Sequence, residues 1–331
     1  MRLTVFSAQP YDRDSLEAVA RERLAGRDVT LVHQPVVLSL STAILAEGSQ
    51  AVCVFVNDCL DAAVLEALQG LGVQAVLLRC AGYNNLDLAA ARRLGLFVAR
   101  VPAYSPEAVA EHALALLMTL NRKTHRAYNR VREGNFALDG LLGSTLNGKT
   151  VGLVGLGQIG LATARIFHGL GCRVLGHDPQ PPAAFAAYGD AVALDALLNE
   201  ADVISLHCPL LESTRYLIDA VALARMKPGA VLINTSRGAL IDTEAVIQAL
   251  KRRQLGGLAI DVYEQESELF FQDRSHDYID DDLFVRLMTF PNVLITGHQG
   301  FFTAEALREI ALVTLGNLAD FLDGHACPNA L

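Results

Sequence analysis

The sequence predicts an α/β chain built on two doubly wound parallel sheets, and three observations carry that expectation. Short β-rich runs alternate with helical stretches through the first hundred residues. The same alternation restarts after residue 150. The 331 residues are 52% hydrophobic against 19% charged, which suits sheets buried on both faces by crossover helices. So much apolar side chain also excludes a disordered chain, since burial can offset the entropy of ordering the backbone. At about 150 residues per domain, the length itself suggests two domains.

The first series has expected strands at 3–7, 29–33, 51–56, 74–78 and 96–101, with helical patterns at 14–24, 61–68 and 85–94. At 102–106 the texture changes. Ser105 is placed to cap a long helix, 106–120, with Pro106 at its first position, and the run 108–120 reads as deeply buried. A polar stretch, 121–148, leads to the second series. Its expected strands are 151–154, 173–177, 203–207, 230–234, 258–261 and 293–296, with helices at 158–170, 195–200, 219–226, 242–253 and 282–288. Six strands with crossover helices make up a complete doubly wound dinucleotide-binding fold. The tail, 303–322, reads as one more amphipathic helix, placed to pack back on the first domain. No internal repeat or low-complexity tract interrupts this plan.

Charge narrows the partners. With 27 Lys and Arg against 36 Asp and Glu, the net charge is −9, and no basic run stands out. That argues against nucleic acid or an anionic membrane surface as the main partner. The start, from Met1 to Pro10, has too short an apolar run for a signal sequence and reads as a buried first strand. The longest apolar stretches fall far short of the roughly 18 residues that span a bilayer. Six cysteines (Cys53, Cys59, Cys80, Cys172, Cys208 and Cys327) form no C-x-x-C pair and read as reduced thiols of a cytoplasmic protein, with no metal site or disulfide framework.

Gly155-Leu-Gly-Gln-Ile-Gly160 follows the strand 151–154 and opens a helix. In such a turn Gly155 permits the tight bend, Gly157 lets the backbone approach a pyrophosphate, and Gly160 allows close helix–strand packing. Gln158 and Ile159 complete the first turn, whose free N–H groups face the phosphates with the helix dipole behind them. A glycine-rich turn alone would be weak. Here the next strand ends in His177-Asp178, which places an acid 23 residues after Gly155, where ribose hydroxyls would lie. A carboxylate there accepts from a 2′-hydroxyl and repels a 2′-phosphate. Asp178 is followed by Pro179, Gln180, Pro181 and Pro182 rather than an arginine, so NAD is expected over NADP.

Three later segments carry ionisable residues just past apolar strands, at the sheet edge where such folds bind ligands. They are Asn234-Thr-Ser-Arg237-Gly, Asp261-Val-Tyr-Glu-Gln-Glu266 and Thr296-Gly-His298-Gln. Taken singly, each reads first as something ordinary: a surface ion-pair partner, a solvated loop acid or a satisfied polar histidine. Together an Arg, a Glu and a His after successive strands form a kit for hydride transfer to a carbonyl acid.

With the glycine motif, these segments resemble the D-isomer-specific 2-hydroxyacid dehydrogenases, and within them the fermentative bacterial D-lactate dehydrogenases. The spacings of 29 residues from Arg237 to Glu266 and 32 from Glu266 to His298 fit, as does the segment from Glu268 to Tyr278. Arg79-Cys-Ala-Gly-Tyr-Asn-Asn85, Val101-Pro-Ala-Tyr-Ser-Pro106 and Thr303-Ala-Glu-Ala-Leu extend the resemblance over essentially the whole chain.

The resemblance implies a Rossmann NAD-binding domain, 103–298, inserted in a flavodoxin-like split catalytic domain, 1–102 with 299–331, and a cleft between them as the seat of the chemistry. It implies Arg237, Glu266 and His298 as catalytic residues. Arg237 would fork onto the substrate carboxylate, His298 would exchange a proton with the C2 oxygen, and Glu266 would fix the imidazole and favour its protonated form. Backbone N–H groups of Ala81, Gly82 and Tyr83 would help to hold the carboxylate, and Tyr104 and Phe301 would line the substrate site. His207, Cys208, Pro209, Thr235 and Ser236 would flank the nicotinamide ribose and ring. Asp261 would tune the same region, with a structural acid at a strand end as its other reading. Gly300 departs from the alanine more common in the family.

The expected function is NADH-dependent reduction of pyruvate to D-lactate, its chirality carried by the resemblance alone. A larger 2-oxo acid such as phenylpyruvate is the enzymatic alternative. An NAD(H)-sensing corepressor-like protein is the alternative from another class, disfavoured by the lack of an added recruitment segment. Helix 106–120 and the polar arm after it resemble the family's dimer-forming region, implying a homodimer or homotetramer.

Overall fold

Five short N-terminal segments pair in parallel: β1 (Arg2–Val5), β2 (Thr30–His33), β3 (Ala51–Val54), β4 (Ala75–Leu78) and β5 (Phe97–Arg100), in the order β2-β1-β3-β4-β5. This is the flavodoxin-like arrangement. The computed structural model describes residues 1–331, the side chain of Glu268 excepted. Successive side chains of a strand point to opposite faces, so both faces of a central strand must be apolar. Val52, Val54, Val76 and Leu78 face one way, towards Leu65 and Leu68 of α2 (Ala62–Gly70), after α1 (Pro10–Arg23) has crossed to the other side. Leu3, Val5, Cys53 and Leu77 face that other way, onto Leu16 and Val19 of α1. Asp61 caps α2 and Asp87 caps α3 (Leu88–Arg93), each accepting from the backbone N–H three residues on.

Beneath this sheet lies a buried cation. Arg79, 1% exposed, directly follows β4. Its Nε donates to Asp12 Oδ1 at 3.2 Å, its Nη atoms donate to the carbonyls of Phe6 and Ser7, and its plane covers the Phe55 ring. A charge so deep in the core requires this full set of acceptors.

The second sheet has seven parallel strands: β6 (Thr150–Val154), β7 (Arg173–His177), β8 (Asp190–Ala191), β9 (Val203–Leu206), β10 (Ala230–Asn234), β11 (Leu255–Ile260) and β12 (Val293–Ile295). Their order is β12-β11-β10-β9-β6-β7-β8. The order reverses between β6 and β9, and ligands of such sheets bind beyond the strand C-termini at that switch point. Helices α4 (Pro106–Arg122) and α6 (Gln158–Gly169) cover one face, with α5 (Thr124–Arg132) following α4. The other face carries α7 (Leu194–Glu200), α8 (Ala220–Arg225), α9 (Thr243–Lys251) and α10 (Asp282–Met288). Finally α11 (Ala304–Asp323) lays Ala311, Leu315 and Leu318 into the core of the first sheet beside α1.

Two elements differ from expectation. The six expected strands of this sheet are β6, β7 and β9–β12; the third strand of the dinucleotide fold is β8. It has two residues, both exposed, so no apolar run marks it. Within the polar stretch 121–148 lies α5, where no helix was expected. None of its residues is buried, so propensity rather than an apolar face would have had to reveal it.

The chain forms two compact units, Met1–Ser105 with Phe301–Leu331, and Pro106–Gly300. The crossings fall at the start of α4 and just past the turn after β12, a few residues beyond the 102/103 and 298/299 positions that the resemblance implied. Among the described residues no helix is long and apolar enough to cross a membrane.

Candidate active site

The glycine turn after β6 is built to leave space. Gly155 has φ +93°, and a Cβ there would stand 2.5 Å from the Cys208 backbone nitrogen. A Cβ on Gly160 would stand 2.1 Å from the Gly155 carbonyl oxygen, so α6 can approach β6 only with glycine here. At Gly157, which precedes α6, nothing lies within 4 Å, and no side chain caps the helix. The N–H groups of the first turn, through Gln158 and Ile159, are thus left for an anion. Asp178 follows β7 and braces this turn, its Oδ2 accepting from the Leu156 N–H at 2.8 Å and its Oδ1 from the Gln180 N–H at 2.9 Å.

Around the ends of β9 and β10 the polar groups are buried and partly unpaired. Burial lowers the His207 pKa to about 4, so its ring is neutral near pH 7, and raises Cys208 to about 11. His207 Nε2 meets Ser205 Oγ at 2.9 Å. His207 Nδ1 and Thr235 Oγ1 have no partner among the described residues. Pro209 follows Cys208, and Ser236 Oγ donates to the Cys208 carbonyl at 2.7 Å, tying the two strand ends together. An open anion cradle, an acid beyond it and orphaned buried donors and acceptors fit the diphosphate, ribose and amide of NAD. Replacing Asp178 with Ala and Gln180 with Arg should raise NADPH use relative to NADH by about tenfold or more, measured as a ratio of kcat/KM values. Unchanged NADH selectivity would contradict the role of Asp178.

Arg237 stands on the turn after β10. Asn234 shapes that turn, accepting from the Ser236 N–H at 3.0 Å and donating to the Arg237 carbonyl at 2.8 Å. A Cβ on Gly238 would lie 2.1 Å from the Tyr263 carbonyl carbon, so glycine allows this turn to meet the one after β11. Arg237 is half-buried, donates from Nη1 to the Ser236 carbonyl at 2.7 Å, and forms no ion pair among the described residues.

The structure brings Glu266 and His298 together. His298 Nδ1 meets Glu266 Oε1 at 2.8 Å, and Oε2 of the same carboxylate accepts from the Tyr263 N–H at 3.0 Å. With Nδ1 directed at a carboxylate, Nε2 is the ring nitrogen available to a substrate. The ring is 5.7 Å from that of Phe271, and the His298 backbone has φ +54°, a left-handed conformation rarely adopted by side-chain-bearing residues. Asp261, 1% exposed, holds the strained turn. It accepts from the N–H groups of Gln299 at 2.9 Å and Gly300 at 2.7 Å, from Thr296 Oγ1, and from His112 Nε2 at 3.2 Å. Burial works to raise the Asp261 pKa, but the hydrogen bonds of His112 and Thr296 and the charge of His112 hold it below the ordinary carboxylate range.

Sequence reasoning missed His112, and it gave Thr296 and Tyr263, inside two of the named segments, no role of their own. A histidine among the alanines and leucines of a buried helix was the one visible signal; its partner lies 149 residues away.

The other unit carries the remaining candidates. Ala81, Gly82 and Tyr83 form the bend after Arg79. Arg100 Nη1 donates to the Ala81 carbonyl at 2.6 Å, and its guanidinium covers the half-exposed Tyr83 ring. Cys80 Sγ donates to the Gly82 carbonyl at 3.2 Å. Phe301, 7% exposed, packs against Phe55, Tyr104 and Phe302, so Tyr104 and Phe301 belong to one aromatic cluster.

Residues 114–300 match the family model described as D-isomer specific 2-hydroxyacid dehydrogenase, NAD binding domain. A D-lactate dehydrogenase of Curvularia clavata is 58% identical over 331 residues, covering 100% of this chain and 95% of that protein. The apo-structure of D-lactate dehydrogenase from Escherichia coli superposes with a TM-score of 0.92 at 48% identity, covering 100% of both chains. A structure of the pyruvate reductase of Chlamydomonas reinhardtii gives 0.93 at 42% identity, covering 99% of this chain and 98% of that one.

Proposed function

The chain belongs to the D-isomer-specific 2-hydroxyacid dehydrogenase family, and from that premise we propose that it reduces pyruvate to D-lactate with NADH. The observation that carries the reading is the 2.8 Å contact of Glu266 with His298 Nδ1, which dedicates the other ring nitrogen to a substrate oxygen. The similarity to proteins named D-lactate dehydrogenase and pyruvate reductase supports this choice of substrate and direction.

NADH, when bound, supplies the hydride that reduces C2. Arg237 binds the carboxylate of the 2-oxo acid through two parallel N–H donors and thereby fixes C2. Protonated His298 donates from Nε2 to the C2 oxygen as the carbon is reduced, so that pyruvate, one hydride and one proton give D-lactate. Glu266 balances the imidazolium charge and keeps the ring in place. In the reverse direction neutral His298 takes the hydroxyl proton. The backbone of Ala81, Gly82 and Tyr83 adds donors to the carboxylate, and Tyr104 and Phe301 line the substrate site. The D configuration follows from the family.

Purified enzyme with NADH should oxidise the cofactor fastest with pyruvate, as followed by loss of NADH absorbance, ahead of phenylpyruvate and oxaloacetate. A higher kcat/KM with phenylpyruvate would replace pyruvate by a larger 2-oxo acid. No turnover with any 2-oxo acid would leave a cofactor-binding protein rather than an enzyme.

The same reading extends to assembly. Tyr128, Val131, Phe136, Leu138 and Leu142 are each at least half exposed on α5 and the arm after it. So large an apolar surface supports burial against a second copy of the chain, as a homodimer or homotetramer. The six free cysteines suit a reducing, cytoplasmic setting.

A further inference from the structure

We propose that His112, on α4, is a positioning residue for the reaction: its Nε2–H holds the Asp261 carboxylate, and that carboxylate holds the 298–300 turn in the backbone shape that presents the His298 ring. The inference rests on the role given above to His298.

Asp261 gathers the whole turn. Its carbonyl oxygen accepts from the His298 N–H at 2.7 Å, and its carboxylate accepts from the next two backbone N–H groups, at Gln299 and Gly300. These bonds maintain a turn whose first residue has φ +54°, a conformation that persists only when its surroundings over-determine it. A carboxylate that is 1% exposed can do this as an anion only with a compensating donor or charge nearby. His112 supplies it from a separate element. Its Nε2 lies 3.2 Å from Asp261 Oδ1 and 3.1 Å from Thr296 Oγ1. Asp261 as an anion is acceptor-only, and the Thr296 hydroxyl already donates to it, so Nε2 of His112 carries the hydrogen.

The side of the turn that faces the ring is glycine. A Cβ at position 300 would stand 3.1 Å from Asp261 Oδ2 and 3.5 Å from His112 Cδ2. The imidazole and the carboxylate thus occupy the space that a side chain at 300 would press upon. Sequence-distant α4 is thereby coupled to the catalytic turn through one buried anion.

The test compares His112→Leu, which removes the donor, with His112→Gln, whose amide nitrogen falls where Nε2 does. In the full-length enzyme with pyruvate, His112→Leu should lower kcat about tenfold while the NADH dissociation constant stays within about twofold. His112→Gln should return kcat to within about threefold of the parent, and His112→Leu should add no further loss in an Asp261→Asn background. Wild-type kcat in the Leu variant, or equal impairment in Leu and Gln, overturns the proposal. A second readout needs no turnover: the His298 Cε1 resonance in a 13C–1H spectrum, assigned by its absence in His298→Gln. It should shift or broaden in His112→Leu and return in His112→Gln; an unmoved resonance in the Leu variant overturns the proposal. If the parent enzyme reduces no 2-oxo acid, the proposed function fails, and the spectrum alone decides the role of His112.

Discussion

Arg237→Lys should raise the KM for pyruvate by about a hundredfold, roughly 2.7 kcal/mol of lost substrate binding, while charge at the position is kept. The reasoning starts from the turn. Asn234 bonds both to the Ser236 N–H and to the Arg237 carbonyl, and Gly238 lets the turn press against Tyr263, so the backbone that carries Arg237 is fixed. One guanidinium nitrogen is spent on the Ser236 carbonyl, and no acid among the described residues competes for the rest of the fork. A guanidinium in that state can fork onto a ligand carboxylate, which is the role proposed for Arg237. A lysine ammonium reaches from the same backbone as a point charge, keeps attraction, and loses the planar pair of donors that sets the angle of C2. The loss should therefore fall on KM first and on kcat less, since orientation is also disturbed. Steady-state kinetics with pyruvate at saturating NADH decide it. A KM within threefold of the parent would remove Arg237 from the carboxylate site.

Much of the architecture is legible along the chain because parallel sheets buried on both faces write themselves as apolar runs. The six longer strands of the second sheet all have such runs, and β8, two exposed residues long, has none. The glycine turn is legible for a steric reason. Positions 155 and 160 admit no Cβ, and the acid that braces the turn comes at the end of the next strand. Glu266 and His298 are individually ordinary, and it was the resemblance to the family that implied they meet; the structure puts them 2.8 Å apart. What does not appear in the sequence is the support behind them. Asp261 could be singled out as a strand-end acid, but its bonds to His112, Thr296 and the backbone of 299 and 300 depend on α4 crossing beneath β11 and β12, a tertiary fact without local periodicity. Phe271 against the His298 ring is hidden in the same way, inside a connection whose sequence shows no regular pattern.

His298→Gln should lower kcat for pyruvate reduction by about a thousandfold and leave the NADH dissociation constant within about twofold. Glutamine isolates the proton. Its amide nitrogen lies where Nε2 of the imidazole does, so a hydrogen bond to the C2 oxygen survives, but the amide transfers no proton near neutral pH. It also bears a Cβ at a position with φ +54°, so the backbone strain is the same in both proteins and cancels from the comparison. The amide leaves Glu266 without the ring nitrogen it now meets at 2.8 Å, but Tyr263 N–H still holds the other carboxylate oxygen at 3.0 Å. The glycine turn, Asp178 and the orphaned polar atoms at His207 and Thr235 belong to other strand ends, which is why cofactor binding should persist. Equal loss of turnover and of NADH binding would mean that His298 supports the fold of the site. Retained turnover would mean that another group delivers the proton. Loss of turnover alone, with NADH fluorescence titrating as in the parent, places the acid of the reaction on the Nε2 that the Glu266 contact leaves free.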